Sequence, residues 1–117
     1  MNCCCDIGQA TKLKIEGDIG ADPIWCNCCG KNLDLVDIPI SEKLAGQLLD
    51  WSRKYGEWID WERDRLKVSG KELEEAHNRK GALFTERVKQ EVGDQYKVIF
   101  SPSTSVQIYI KHNEKQE

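Results

Sequence analysis

The sequence of 117 residues lacks the features that mark several common classes of protein. No apolar run approaches the ~18 residues that a membrane-spanning helix requires. Residues 1–10, MNCCCDIGQA, contain neither the basic nor the apolar stretch of a secretory signal, so we expect a cytoplasmic protein. No internal repeat and no low-complexity tract is present. The length is that of one globular domain.

Catalytic motifs are also missing. The chain contains no phosphate-binding loop of the form GxxxxGK[ST] or GxGxxG and no HExxH metalloprotease motif. One of its two histidines, His77, follows Glu74 by three positions on a predicted helix. We interpret His77 as a structural histidine, and a small enzyme that uses His77 with Glu74 or Glu75 is the weaker alternative. The sequence therefore predicts a protein that is not an enzyme.

Basic residues are not in excess. The chain carries 17 basic and 20 acidic residues, and residues 1–40 hold three basic residues against six acidic ones. The remaining residues are balanced in charge and form no basic stripe along a helix. Because nucleic-acid affinity depends on Lys and Arg that neutralise phosphates, a DNA- or RNA-binding regulator is only the second-ranked interpretation.

Cysteine, by contrast, is abundant and clustered. Disulfides rarely persist in a reducing cytosol, which favours metal or redox chemistry. Triplets in polar, glycine-rich sequence also fit poorly with cysteine as a small buried hydrophobic residue. The six cysteines form two groups, which are Cys3, Cys4 and Cys5 near the start and Cys26, Cys28 and Cys29 further on.

The second cysteine group has the spacing of a metal-binding turn. Cys26 and Cys29 form a CxxC pair that is followed by Gly30 and, three positions later, by Leu33. Zn²⁺ prefers four such ligands in a tetrahedron, so a second pair is required. The first group can supply that pair, because the segment between Cys5 and Cys26 is close to the usual spacing between paired cysteines of a zinc site.

The cysteine pattern, CCC at 3–5 and CNCCG at 26–30, resembles zinc ribbons and zinc knuckles over residues 3–33. A standard ribbon has CxxC in both places, whereas the first half here offers only adjacent cysteines or CxC. Cys4 therefore remains an alternative to Cys3 or Cys5. The resemblance implies one structural Zn²⁺ bound by four thiolates, those of Cys3, Cys5, Cys26 and Cys29.

Two other uses of the cysteines are less favoured. Four thiolates can also hold an iron–sulfur cluster. The stretch WCNCC is similar to the redox motif of thioredoxin-like proteins, whose cysteine pair begins a helix. Here Gly30 follows the pair directly and no helical periodicity comes after it.

Hydrophobic periodicity predicts the secondary structure. Residues 11–16 alternate as a short, half-buried strand. Ser41 is the expected N-cap of a helix from residue 42 to about Leu66. A capping box of Ser69 and Glu72 begins a second helix, which ends at Gly93. The apolar stripe of the first helix consists of Leu44, Leu48, Trp51, Tyr55, Trp58 and Ile59.

The end of the chain has the alternation of β-strands. Residues 96–100 and 106–110 flank the turn sequence SPST and predict a β-hairpin. The fold class is therefore α+β, with a sheet packed on the helices. We expect a zinc-knuckle module with a short strand over residues 1–40 and a helical hairpin plus a β-hairpin over residues 41–117, joined in one compact unit.

Tryptophan is the second unusual feature of the composition. Trp51 and Trp58 fit the core between the helices, whereas Trp61 lies at the edge of the apolar stripe. Because Trp and Tyr are enriched in interface hot spots, Trp61, with Trp58 and Tyr55, is a candidate for partner binding. We therefore expect a non-enzymatic protein-interaction module, such as an adaptor, inhibitor or accessory factor. The stretches YGEWIDWE and VIFSPSTS are similar to small uncharacterised bacterial proteins, and that likeness supplies no activity.

Overall fold

The structure, a computed structural model, describes residues 11–18 and 20–108. Within this part of the chain the architecture is α+β, as predicted. Cys3, Cys4 and Cys5 lie outside the described residues. The elements are β1 (Lys12–Ile15), β2 (Ile24–Cys26), β3 (Asn32–Leu33), α1 (Glu42–Arg53), β4 (Ile59–Asp60), β5 (Arg65–Leu66), α2 (Gly70–Val92) and β6 (Lys97–Phe100).

Four of the strands form a mixed sheet in the order β3-β2-β1-β6. β1 is antiparallel to β2, with Leu13 opposite Cys26, and parallel to β6, with Leu13 opposite Val98. Since side chains alternate along a strand, these three residues point to the same face of the sheet. All three are buried there.

The helices α1 and α2 pack on this face and complete the main core. Each large apolar side chain that is fully buried contributes about 1.5–3 kcal/mol to the folded state. A smaller cluster of Trp58, Ile59 and Val106 lies apart from the main core. Among the buried residues of the main core are Leu13, Ile15, Ile24, Cys26, Leu33 and Val98 from the sheet, and Leu44, Leu48, Trp51, Val88 and Val92 from the helices.

The first helix is shorter than predicted. Its N-cap is confirmed, because the Ser41 hydroxyl accepts a hydrogen bond from the Leu44 N–H at 3.2 Å. The predicted extension to Leu66 is wrong, because α1 ends at Arg53. Three residues later Gly56 adopts a φ of +84°, a left-handed conformation that glycine reaches without strain.

The chain beyond Gly56 forms a β-hairpin instead of a helix. Ile59 of β4 pairs with Leu66 of β5 in an antiparallel register. At the tip, the Asp60 carboxylate accepts a hydrogen bond from the Arg63 N–H at 3.3 Å, which is typical of an aspartate that begins a turn. Of the aromatic residues at helical spacing, Trp51 thus lies in α1, whereas Tyr55 and Trp58 lie in the turn between α1 and β4.

The second helix agrees with its predicted limits. α2 runs from Gly70 to Val92, and Gly93 has a φ of +74° at its C-terminal end. The predicted capping box is not formed, because the Ser69 side chain makes no capping hydrogen bond. Gly81 lies at a close approach, since a Cβ on this residue would stand 2.6 Å from Trp51 of α1 and would also collide with Phe100 of β6.

The predicted C-terminal β-hairpin is wrong. β6 pairs with β1, and residues 105–108 are helical. Val106 is buried against Trp58 and Ile59. Its apolar side chain is therefore packed in a hydrophobic cluster although residues 105–108 do not pair with a strand. Residues 109 and 110, the end of the predicted strand, lie outside the described residues. No helix among the described residues is both long and apolar enough to span a membrane.

Candidate functional site

The β4–β5 hairpin presents the tryptophan that the sequence marked for partner binding. Trp61 stands in the hairpin turn with 58% of its surface exposed. Val68, just beyond β5, is fully exposed. Trp58 is completely buried and Tyr55 is half-buried, so of the three predicted contact residues Trp61 alone offers most of its side chain to a partner.

The base of the hairpin is fixed by contacts of Trp58. The Trp58 indole donates a hydrogen bond to the Ser105 hydroxyl at 2.8 Å. Its ring packs edge-on against Tyr55 at 5.3 Å and against His77 at 5.1 Å. The Trp58 carbonyl also accepts a hydrogen bond from the Lys67 N–H at 2.9 Å. Trp61 is therefore carried on a turn whose base is anchored in the protein interior.

His77 is packed among aromatic rings. It is 5% exposed, stacks on Trp51 at 4.4 Å and meets Tyr55 edge-on at 5.7 Å. Burial, and secondarily the charge of Lys80, lower the pKa of His77 to about 4. The imidazole is therefore neutral at pH 7.

Glu74, the carboxylate expected beside His77, makes its hydrogen bonds with other residues. Glu74 is buried, and its carboxylate accepts hydrogen bonds from the Ser103 hydroxyl, the Ser105 hydroxyl and the Val106 N–H at 2.8, 3.1 and 3.0 Å. Glu75 is exposed. Because Glu74 binds the segment that follows β6, its arrangement is that of a structural acceptor and not of an acid–base partner for His77.

The cysteine turn connects β2 to β3. The Gly30 N–H donates to the Cys26 carbonyl at 2.9 Å, and the Cys26 N–H donates to the Lys31 carbonyl at 2.8 Å. Gly30 has a φ of +79°, as a tight turn after a CxxC pair requires. Cys26 is buried, whereas Cys28 and Cys29 are exposed.

Of the four zinc ligands predicted from the sequence, Cys26 and Cys29 lie among the described residues. The described residues contain no group of three or more His, Cys, Asp or Glu side chains that could hold a metal ion. The turn brings Cys26 and Cys29 onto one short segment. The participation of Cys3, Cys4 or Cys5 stays a prediction, because these residues lie outside the described part.

Sequence reasoning missed two parts of the surface around the site. It assigned Trp61 to a helix, although Gly56 and the polar run ERDR after Trp61 are signals of a turn. It also missed a cleft between α1 and α2 that Lys54 and Lys80 line. No local motif marks such a cleft, because its residues come from two helices.

The fold and the site define a small α+β protein with an exposed tryptophan on an anchored hairpin. Its buried Glu74 accepts hydrogen bonds from neighbouring residues, and its buried His77 packs against aromatic rings. Residues 11–103 match the profile of a family described as Serratia CdiI immunity protein-like. Since the match covers most of the chain, the protein belongs to this family. Among curated proteins, none matches the chain. The family description agrees with the expected protein-interaction role, whereas a zinc-ribbon relationship is not shown.

Proposed function

We propose that the protein is an immunity protein that protects the cell producing it by binding and blocking a protein toxin. The observation that carries this proposal is the family match over residues 11–103. The structure is compatible with it, because Glu74 and His77 are held in structural contacts and no motif for a known reaction occurs in the sequence. The action is then stoichiometric binding of the toxin.

The β4–β5 hairpin is the proposed contact with the toxin. An exposed tryptophan that enters a partner's pocket can supply about 2 kcal/mol or more of binding free energy. The hairpin that carries Trp61 is already ordered before binding, because the buried side chains of Trp58 and Ile59 anchor it. A preformed turn loses little conformational entropy when it binds.

A protection assay tests the function. Each toxin domain encoded next to the gene for this chain is expressed in a sensitive bacterium, with and without the protein. We expect growth to be restored with its cognate toxin and a stable one-to-one complex to be seen by calorimetry. If none of these toxins is bound or neutralised, the immunity function is refuted.

A variant pair tests the interface separately. Trp61→Ala should weaken toxin binding by roughly 30-fold or more and leave thermal stability unchanged. Leu83→Ala is the matched control, because Leu83 on α2 is 53% exposed and lies outside the hairpin. Wild-type affinity in Trp61→Ala would refute the hairpin interface while leaving the immunity function in place.

A structural zinc ion is proposed as an addition to this function. The support is the turn geometry of Cys26, Cys29 and Gly30 together with the path of the chain. The Asn27 N–H donates to the Lys12 carbonyl at 2.8 Å, so the start of β1 lies beside the cysteine turn. Cys3 and Cys5 lie fewer than ten residues before β1 in the sequence, and a chain of that length is long enough to return to the cysteine turn. Bound metal would supply stability that a short, loop-rich segment cannot obtain from packing.

Metal analysis tests the zinc proposal. Purified protein should contain one Zn²⁺ per chain, and Cys29→Ser should lose it because one thiolate ligand is removed. Cys28→Ser is the matched control, since Cys28 is exposed on the same turn but lies outside the CxxC pair. Absence of zinc and iron from the wild-type protein would remove the proposal without affecting the immunity function.

A further inference from the structure

The segment that follows β6, residues 103–106, contacts both α2 and the base of the β4–β5 hairpin, and we call it the clasp segment. The side-chain amide of Asn78 on α2 binds its first residue, because it donates to the Ser103 carbonyl at 3.1 Å and accepts from the Ser103 N–H at 2.8 Å. Its last residue, Val106, is buried in one cluster with Ile59, the first residue of β4. The clasp segment therefore connects the helix to the hairpin.

The Ser105 hydroxyl stands at the centre of these contacts. It accepts a hydrogen bond from the Trp58 indole at 2.8 Å and donates to the Glu74 carboxylate at 3.1 Å. A serine hydroxyl has one hydrogen and two lone pairs, so a proton directed at Glu74 leaves the oxygen free to accept from Trp58. The Ser103 hydroxyl also donates to Glu74, at 2.8 Å. Glu74 thus orients Ser105 as an acceptor, and a carboxylate at the end of such a chain strengthens its hydrogen bonds.

The Trp58 side chain depends on this acceptor. It is 0% exposed, and a buried indole N–H without a hydrogen bond is unfavourable. The Trp58 carbonyl accepts from the Lys67 N–H at 2.9 Å, which closes the base of the hairpin just beyond β5. The place of the Trp58 ring therefore sets where β4 leaves the core and, three residues later, where Trp61 stands.

We propose that Ser105 is a positioning residue for the β4–β5 hairpin. Its hydroxyl, oriented by Glu74, holds the Trp58 ring in one place, so that Trp61 is presented to a partner in one orientation. The inference rests on the proposed function in that it takes the hairpin to be the contact with the toxin. Without the hydroxyl the hairpin would sample more orientations, and binding would be weaker because the hairpin would have to be ordered first.

Hydrogen exchange of the free protein tests the positioning role. In Ser105→Ala, the amides of residues 59–66 should exchange at least about fivefold faster than in the wild type, because the buried indole N–H has lost its acceptor. Ser105→Thr keeps the hydroxyl and should restore wild-type exchange in the hairpin. Ser105→Cys, whose thiol is a weak acceptor, should give an intermediate rate and supplies the result if Ser105→Ala does not fold.

Ser103→Ala is the matched control. It removes another hydrogen bond to the same carboxylate from the same segment, but the Trp58 indole donates to Ser105 and not to Ser103. Both alanine variants should lose global stability, which the slowest amides of α2 report. Only Ser105→Ala should accelerate exchange in the hairpin beyond the change seen in α2. Equal acceleration of the hairpin in the two variants would overturn the proposal.

Toxin binding gives a second readout. With the cognate toxin from the protection assay, Ser105→Ala should bind at least about fivefold more weakly than the wild type, because its hairpin is no longer preformed. Ser103→Ala and Ser105→Thr should bind as the wild type does. Unchanged affinity in Ser105→Ala would also overturn the proposal. A wild-type protein that binds no toxin would refute the immunity function, while the exchange rates would still decide whether Ser105 positions the hairpin.

Discussion

At the scale of single residues, Gly81 shows how closely α2 approaches its neighbours. A side chain at this position would enter the space of Phe100 and Trp51. Gly81→Ala should therefore destabilise the fold by about 1–3 kcal/mol, although alanine favours a helix. Gly46→Ala on α1 is the control, because nothing lies within 4 Å of its Cβ and the protein should gain up to about 1 kcal/mol. Urea denaturation measures both values.

His77 makes stability depend on pH. Its pKa is about 4 in the folded protein and 6.5 in the unfolded chain. Between these values the unfolded chain binds a proton that the folded protein excludes, so the free energy of unfolding falls as the pH falls from 6.5 towards 4. The loss is at most about 3 kcal/mol.

Thermal melts between pH 7.5 and 4.5 check this prediction. The wild type should lose stability below pH 6.5, and His77→Gln should lose less over the same range even if it is less stable throughout. An identical slope in the two proteins would mean that other groups cause the loss.

At the scale of secondary-structure elements, two serines at helix starts behave differently. Ser41 has an extended backbone, with φ −65° and ψ 153°, and its hydroxyl caps α1. Ser69 has a ψ of 20°, and its side chain makes no cap. Ser41→Ala should therefore cost about 1 kcal/mol, whereas Ser69→Ala should change stability by less than about 0.5 kcal/mol. Equal costs in urea denaturation would contradict the assignment.

Glu74 ties the segment after β6 to α2. Its carboxylate accepts three hydrogen bonds from residues 103–106, so Glu74→Ala leaves the buried Val106 N–H without its acceptor and removes the acceptor of two part-buried hydroxyls. We expect a loss of about 2–3 kcal/mol and faster amide exchange at Val106. Glu75→Ala is the neighbouring control on the exposed side of the helix and should be nearly neutral.

The element predictions succeeded where the signal is local. α2 was predictable from its periodicity and from Gly93, which ends it in a left-handed conformation. The predicted helix after Ser41 is too long, because Trp51, Tyr55 and Trp58 have helical spacing. In the structure α1 ends at Arg53, and Gly56 adopts a left-handed conformation in the turn that follows. Spacing alone cannot tell whether two apolar residues share a helix or enter the core from adjoining elements.

At the scale of the whole molecule, the pairing of β6 could not be read from the sequence. The alternation of residues 96–100 predicts a strand but not its partner, and residues 106–110 are the nearest alternating stretch in the sequence. The actual partner is β1, because Val98 enters the same core as Leu13. The exposed Trp61 was predictable as an aromatic residue at the edge of a stripe. The cleft beside Lys80 was not, because it exists only once two helices pack.

The shared sheet predicts that the protein unfolds as one unit. Val98 is 6% exposed in the core, whereas Ile99 is 46% exposed on the other face of the same strand. Val98→Asp should therefore unfold β1, β2 and β3 together with the helices, since it places a charge in the core. Ile99→Asp should keep the fold. Amide exchange by mass spectrometry distinguishes this result from a cysteine module that stays folded alone.

The parallel pairing of β1 with β6 also affects how the protein is made. β1 is synthesised first, but its partner β6 begins only at Lys97, far later in the chain. At about 5–20 residues per second, one edge of the nascent β1 stays open for several seconds. During that interval the early strands are exposed to chaperones and to wrong pairing, so the four-stranded sheet forms only after β6 has been synthesised.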